Sequence, residues 1–374
     1  MRTSTPERSP ESRRVARLRR SLVSRKLDAF LVTQPENRRY LSGFTGQDHS
    51  INETAGVLLI PAHGEPWLLT DGRYLQQAEA EAAGFRVKLY HRGLFASLRR
   101  LFLSLEIRRL GFESHYFLHS SAITLEKETA RKGIELVPLV GLVERLRLVK
   151  TKEEVRKITA ALKMAEEVFQ QVYAELAPGM REKEVAWRIE TEMVRRGADS
   201  PSFETIVASG PNSALPHAVP TDREIREGEP VIIDMGVKLD GYCSDITRTV
   251  VLGRPERKVV EMIRLVRKAQ LAGLAALRAG VSGNHVDRVA REVIERAGLG
   301  ERFCHGLGHG VGLNVHEGPS LSYRNRKQLD AGMVVTVEPG VYIPGWGGVR
   351  LENMAVVEPD GCRVLNQDST FLDI

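Results

Sequence analysis

The sequence repeats itself once over a long distance, and this repetition constrains the fold more than any other feature. Leu176-Ala-Pro-Gly179 running on to Val185 matches Leu277-Arg-Ala-Gly280 running on to Val286 at an offset of 101 residues, and Gly197 and Gly298 keep that offset. In each copy a long helical period stops at the first glycine and a second helical period stops at the next. A strand-like run then follows, Glu229-Pro-Val-Ile-Ile-Asp234 in one copy and Gly332-Met-Val-Val-Thr-Val-Glu338 in the other. Two copies of so long a period exclude a solenoid. They predict an α/β domain of pseudo-two-fold symmetry with its strands in the middle.

The first copy opens at Thr151-Lys-Glu-Glu154, a capping box followed by Val155, Ile158, Leu162, Phe169, Val172 and Leu176 at helical spacing. The residues before it read as a separate α/β domain. Strands are expected at Ala29–Val32, Gly56–Ile60 and Pro66–Thr70, the last two as a hairpin, and again at Arg109–Phe112. Helices are expected around Tyr74–Ala78, over Leu94–Leu105 and over Ser120–Gly133. A chain of 374 residues accommodates two such domains. We place them at 1–145 and 146–374, an α/β (α+β) architecture.

The formal charge of +6 does not mark a nucleic-acid binder, because residues 1–26 alone carry nine Arg or Lys against two Glu. Val15, Leu18 and Leu22 recur at helical spacing there, which predicts an exposed basic first helix rather than a targeting peptide or RNA-binding arm. Apolar runs are far shorter than the roughly 18 residues a spanning helix needs, so no membrane partner is expected. Three widely spaced cysteines, Cys243, Cys304 and Cys362, give neither a disulfide framework nor a cysteine zinc site. A cytoplasmic location is the expectation.

Each copy ends its central strand in a carboxylate with glycine two positions on: Asp234-Met-Gly236 and Glu338-Pro-Gly340. A second carboxylate follows across a glycine-bearing turn, Asp245 in the first copy and Glu352 in the second. The turns fall midway, so each pair should lie nearly opposite on neighbouring strands. Four carboxylates gathered in a strand-lined interior repel one another and would have to protonate. Divalent metal ions resolve this. Three histidines lie in the glycine-rich stretch His305-Gly-Leu-Gly-His309-Gly-Val-Gly-Leu-Asn-Val-His316-Glu317, where missing side chains allow close approach, and His217 lies upstream. An imidazole added to four carboxylates makes an oxygen-rich two-metal site, suited to Mn, Co, Fe or Zn rather than copper. His285 reads as an ordinary solvated helix residue. The sequence has no H-E-x-x-H, no G-x-x-x-x-G-K-[ST] and no G-x-S-x-G.

The run Phe203 to His217, Ile233-Asp234-Met-Gly236, Gly241-Tyr-Cys-Ser-Asp245-Ile-Thr-Arg-Thr249, His305 to Glu317, Val337-Glu338-Pro-Gly-Val-Tyr342 and Val349-Arg350-Leu-Glu352 together resemble the metal-dependent Xaa-Pro peptidases. These are prolidase (Xaa-Pro dipeptidase) and aminopeptidase P, of the pita-bread, creatinase-like fold. Phe30 to Phe44 and Thr70-Asp71-Gly-Arg73-Tyr74 resemble that family's N-terminal domain, so the resemblance covers nearly the whole chain.

The resemblance implies hydrolysis of the peptide bond preceding proline, with water activated by two divalent ions, Mn or Co before Zn or Fe. It implies that Asp234 chelates one ion, that Asp245 and Glu352 bridge both, and that His309 and Glu338 hold the other. Glu338 is then the proton shuttle. His217 and His316 serve catalysis through hydrogen bonds, and His217, His305, His316, Tyr342 and Arg350 meet the substrate. Asn353 stands where many relatives carry Asp. Peptides with proline in the second position are the implied substrates and a homodimer the implied assembly. Length and the histidine segment favour a dipeptidase over an aminopeptidase acting on longer peptides. Methionine aminopeptidases, which share the fold, usually lack such an N-terminal domain. A non-enzymatic pita-bread binding protein would have no need of five intact ligands.

Overall fold

The computed structural model describes residues 9–50, 52–91 and 93–370. Its internal contacts divide into two units, Met1–Leu146 and Arg147–Ile374. In the first unit, helix α1 (Pro10–Ser24) starts at Ser9, whose hydroxyl accepts from the Ser12 amide, with Pro10 in the first turn. Val15, Leu18 and Leu22 are buried as their spacing requires. The first eight residues of the basic stretch lie outside the described residues.

The unit continues through β1 (Ala29–Val32), α2 (Pro35–Ser42), β2 (Val57–Pro61), β3 (Trp67–Thr70), α3 (Leu75–Glu81), β4 (Arg86–Leu89), α4 (Leu94–Ser104), β5 (Arg109–Glu113), α5 (His119–Ala130) and β6 (Glu135–Leu139). The strands form one mixed sheet in the order β4-β3-β2-β1-β5-β6. The expected hairpin is β2–β3, with Leu58 opposite Leu68. Three elements had no clear signal: α2, whose run of Glu, Asn and Arg hides its periodicity, and the half-exposed strands β4 and β6. Glu113 ends β5 with its side chain buried, accepting from the Thr33 and Gln34 amides at the start of α2 at 2.6 and 2.7 Å.

After α6 (Glu144–Arg147), a single turn, the second unit begins with α7 (Lys152–Glu175) and α8 (Glu182–Arg195). The Thr151 capping box is complete, with the Thr151 hydroxyl and the Glu154 carboxylate each bonded to the other's amide. There follow β7 (Ser200–Pro201), β8 (Ile206–Ser209), β9 (Val231–Met235), β10 (Val237–Leu239), β11 (Tyr242–Cys243) and β12 (Ile246–Val250). The second copy runs α9 (Arg257–Ala276), α10 (Gly283–Arg296), β13 (Gly308–Gly310), β14 (Glu317–Leu321), β15 (Val334–Val337), β16 (Gly340–Ile343), β17 (Gly347–Arg350), β18 (Asn353–Val357) and β19 (Cys362–Val364). The duplicated glycines have one physical cause: Gly179 and Gly280 follow a long helix at φ 89° and 81°, and Gly197 and Gly298 follow a short one at φ 89° and 75°. A side chain is strained in that left-handed region, so glycine directly follows the C-cap of each short helix, whereas the long helices end at an extended leucine, Leu176 or Leu277, and their glycine makes the turn beyond it.

Each copy also contains one long hairpin whose ladder breaks in the middle without losing register. In the first, Met235 faces Ile246 in β9–β12, and Lys238 faces Cys243 in β10–β11. In the second, Val337 faces Asn353 in β15–β18, and Gly340 faces Arg350 in β16–β17. The halves of each hairpin join different sheets, β12-β9-β8 and β14-β13-β15-β18-β19 on one side of the breaks. Val335, Val337, Val349 and Leu351 are wholly buried in the core under α9 and α10. Each such side chain stabilises the unit by roughly 1.5–3 kcal/mol.

Candidate metal centre

The carboxylates sit at the two breaks. Glu338 and Glu352 occupy the interruption between β15–β18 and β16–β17, facing each other in the register both ladders share. The first copy departs from the expected opposition. Asp234 faces Thr247, and Asp245 lies two residues before Thr247, so the two acids are diagonal neighbours on one face. The offset arises because the first break falls at Gly236 and Asp245, beyond the strand end that carries Asp234.

These acids and His309 line one cavity of about 560 Å³, together with His217, His305, His316, Tyr342 and Arg350. His309 is the middle residue of β13, and its amide donates to the Thr336 hydroxyl. Its glycine neighbours are required by strand packing. A Cβ on Gly308 would fall 2.1 Å from the Thr336 carbonyl oxygen, and one on Gly310 would fall 2.1 Å from that of Gly318. Atoms of Asp245, His309 and Glu352 come within 4.8 Å of one another, the spacing of ligands around one ion. His309 Nε2 lies 3.2 Å from Glu338 Oε1 and 3.5 Å from Asp245 Oδ2. The rings of His309 and His316 meet edge to face with centroids 4.3 Å apart. His217 and His316 are exposed at the mouth.

Charge is badly balanced here. Burial, then the charges of Glu352 and Asp234, push the Asp245 carboxyl well above its ordinary range. Burial, then Glu338 and Asp234, do the same to Glu352. Burial alone would lower His309 and raise Glu338, but their mutual hydrogen bond and attraction win, raising His309 to about 9 and lowering Glu338 to about 2. Two buried oxygens, Asp234 Oδ1 and Glu352 Oε1, have no hydrogen-bond partner. Buried acceptors are normally satisfied, so unpaired carboxylate oxygens facing a common space call for a cation. The donor set, four carboxylates and one imidazole, fits divalent metal ions.

A chain of hydrogen bonds leads away from the acids. Arg350 Nη2 donates to Asp234 Oδ2 at 2.5 Å, Arg350 Nη1 donates to the Tyr342 hydroxyl at 2.8 Å, and His305 Nε2 lies 2.9 Å from that hydroxyl. Burial pushes the Tyr342 phenol up to about 12, so it stays protonated and takes part as an O–H group. Several supporting groups were not singled out from sequence. Thr247 donates to Glu352 Oε2 at 2.8 Å and Thr336 to Glu338 Oε1 at 2.9 Å. The period-two alternation that puts Thr336 on the same face as Glu338 was a usable signal for that pair, whereas Thr247 meets its acid across 105 residues. Asp287 on α10 grips Arg291 through two 3.0 Å bonds, and Arg291 donates to the carbonyls of Phe303 and His305. Nothing in the local pattern of α10 announces that role.

A buried ring of carboxylates completed by histidine, opening on a cleft with apolar walls from Phe203, Ile206 and Pro216, has the make-up of a metallohydrolase site. Residues 156–359 match Metallopeptidase family M24 and residues 14–149 match the Creatinase/Prolidase N-terminal domain. The chain belongs to metallopeptidase family M24 and is a metallopeptidase, with a creatinase-like first domain and the pita-bread fold in the second. An Xaa-Pro dipeptidase from Bacillus anthracis superposes with a TM-score of 0.90 at 38% identity, covering 96% of this chain and 98% of that one. An Xaa-Pro dipeptidase of Pyrococcus horikoshii is 34% identical over 342 residues, 91% of this chain and 93% of the relative. An X-Pro aminopeptidase from Thermotoga maritima superposes with a TM-score of 0.85 at 35% identity, covering 94% and 98%.

Proposed function

We propose that the protein is an Xaa-Pro dipeptidase, a metal-dependent hydrolase of the bond preceding proline. The observation that carries this reading is the set of paired acids at the two hairpin breaks, Asp234 with Asp245 and Glu338 with Glu352, completed by His309 and opening on a partly apolar cleft. Its support in the comparisons is likeness over nearly the whole chain to proteins named as Xaa-Pro dipeptidases.

In this reading Asp234, Asp245, His309, Glu338 and Glu352 hold two divalent ions, Mn or Co before Zn or Fe. When bound, such ions lower the pKa of a shared water and polarise the scissile carbonyl. Glu338 is ionised at neutral pH, and its Oε1 is engaged by His309 and Thr336. The Glu338 carboxylate would then take the proton of the attacking water and deliver it to the departing proline nitrogen, which has no hydrogen of its own. His217 and His316, exposed at the mouth, donate hydrogen bonds to the developing oxyanion or to the substrate. His305, Tyr342 and Arg350 form the polar wall against which the substrate is oriented. Phe203, Ile206 and Pro216 supply an apolar surface for the pyrrolidine ring.

The reading extends to a cytoplasmic homodimer that takes peptides with proline in the second position, with domains at 1–145 and 146–374. Chelator-stripped protein, with and without added Mn or Co, is offered an Xaa-Pro dipeptide, an Xaa-Pro-Xaa tripeptide and a matched peptide lacking proline, and products are followed by mass spectrometry. Metal-dependent cleavage of the dipeptide alone is expected. Cleavage confined to the tripeptide would replace the reading with an aminopeptidase, and the absence of proline-selective cleavage would sink both.

A further inference from the structure

Within Asp245-Ile-Thr-Arg-Thr249 the proposed chemistry uses Asp245, and Thr247 supports it, but Arg248 has no part in it. Arg248 is nevertheless among the largest wholly buried side chains in the protein. Its position explains why the second hairpin can break at Glu352. A residue at a broken ladder has lost its partner within the hairpin, and its main-chain groups must be satisfied elsewhere. The Glu352 amide donates to the Thr247 carbonyl at 3.1 Å, and the Glu352 carbonyl accepts from Arg248 Nη1 at 2.6 Å. The same nitrogen donates to the Thr247 carbonyl at 3.0 Å. One guanidinium thus closes the joint between the first copy's strand and the peptide that carries Glu352.

A buried guanidinium needs a counter-charge, and a distant part of the chain provides it. Arg248 Nε donates to Asp368 Oδ2 at 2.5 Å, and the two side chains are each 1% exposed. Asp368 is itself tied down: Gln170 of α7 donates to its other oxygen, Thr370 donates to the same oxygen at 2.6 Å, and its amide donates to Glu166 of α7 at 3.1 Å. A rigid relay therefore runs from α7 through Asp368 and Arg248 to the backbone of Glu352.

We propose that Arg248 and Asp368 are positioning residues for the Glu352 carboxylate, so that the segment 366–370, which contributes no ligand, sets the affinity of the centre for metal. The inference rests on the reading of Glu352 as a metal ligand. A planar fork suits this joint because one nitrogen reaches the two carbonyls and another the carboxylate, whereas an ammonium would have to meet all three from one nitrogen. Groups that orient metal ligands typically change metal affinity about 10- to 100-fold when removed.

The test is Mn(II) binding to the full-length, chelator-stripped protein, with free Mn(II) counted by electron paramagnetic resonance and folding checked by circular dichroism. Asp368→Asn removes the counter-charge, and Arg248→Lys keeps a cation while losing the fork, so one remains informative should the other fail to fold. Glu113→Gln, a change at a buried carboxylate of the first unit, is the control. The expected result is Mn(II) binding about 10- to 100-fold weaker in folded Asp368→Asn or Arg248→Lys and unchanged in Glu113→Gln. Folded variants that bind within about twofold of the unsubstituted protein, or an equal loss in the control, would overturn the positioning role. Failure of the unsubstituted protein to bind Mn(II) or Co(II) would instead overturn the metal reading, and the positioning role with it.

Discussion

Replacing Glu113 by Gln should abolish a loss of stability that the first unit otherwise suffers as pH rises from about 4.5 to 7. Burial outweighs the hydrogen bonds from Gln34, Thr33 and Asn37, and nearby Glu144 adds repulsion, so the Glu113 carboxyl is raised from 4.5 to about 7. Below the lower value folded and unfolded chains both hold the proton. Between the two values only the folded chain holds it, so raising the pH draws protons off by favouring the unfolded state. Above about 7 neither holds it and the loss is complete. A shift of this size corresponds to about 3 kcal/mol. Urea unfolding of both proteins at pH 4.5 and pH 8 gives the difference between them at each pH. That difference should move by about 3 kcal/mol in favour of Glu113→Gln on going to pH 8. A difference independent of pH would refute the reasoning. So would one that moves the other way, since the Thr33 and Gln34 amides would then be holding the carboxylate ionised against its burial.

Asp245→Ala and Glu352→Ala should each abolish metal binding and hydrolysis together, measured by elemental analysis of the dialysed protein alongside peptide turnover. Either variant keeping both metals and the full rate would contradict the bridging role. His217→Ala should lower the rate with metals retained, and loss of metal would move His217 among the ligands. Thr247→Val removes the bond to Glu352 Oε2 at a fully buried site. It should weaken Mn(II) binding by about 1–3 kcal/mol, and unchanged affinity would show that the bond is dispensable.

How legible this protein was in its sequence varied with the range of the physics involved. The duplicated helix pairs were readable because apolar spacing and terminating glycines are local, and the glycine angles repeat from copy to copy. The four acids were readable because they flank the two glycine-bearing turns in pairs, Asp234 and Glu338 before the turn and Asp245 and Glu352 after it. Their relative placement was less so. The spacing of Asp234 and Asp245 across Leu239-Asp240-Gly241 suggests a directly opposed pair, but opposition depends on where the ladder breaks, and that is set by packing onto a second sheet. Helix α2 escaped detection because Asn37 and Arg38 are buried polar residues, held by Glu113 and Asp48, and they blur the apolar period. The bond from Arg248 to Asp368 spans 120 residues, and no periodicity reaches that far.

The central claim is that the two hairpin breaks build one dinuclear centre, and anomalous diffraction from crystals grown with Mn(II) tests it most directly. The expected result is two anomalous peaks inside the cavity, with Asp245 and Glu352 each in contact with both and Asp234 and His309 each in contact with one. A single peak, or peaks away from these residues, would contradict it.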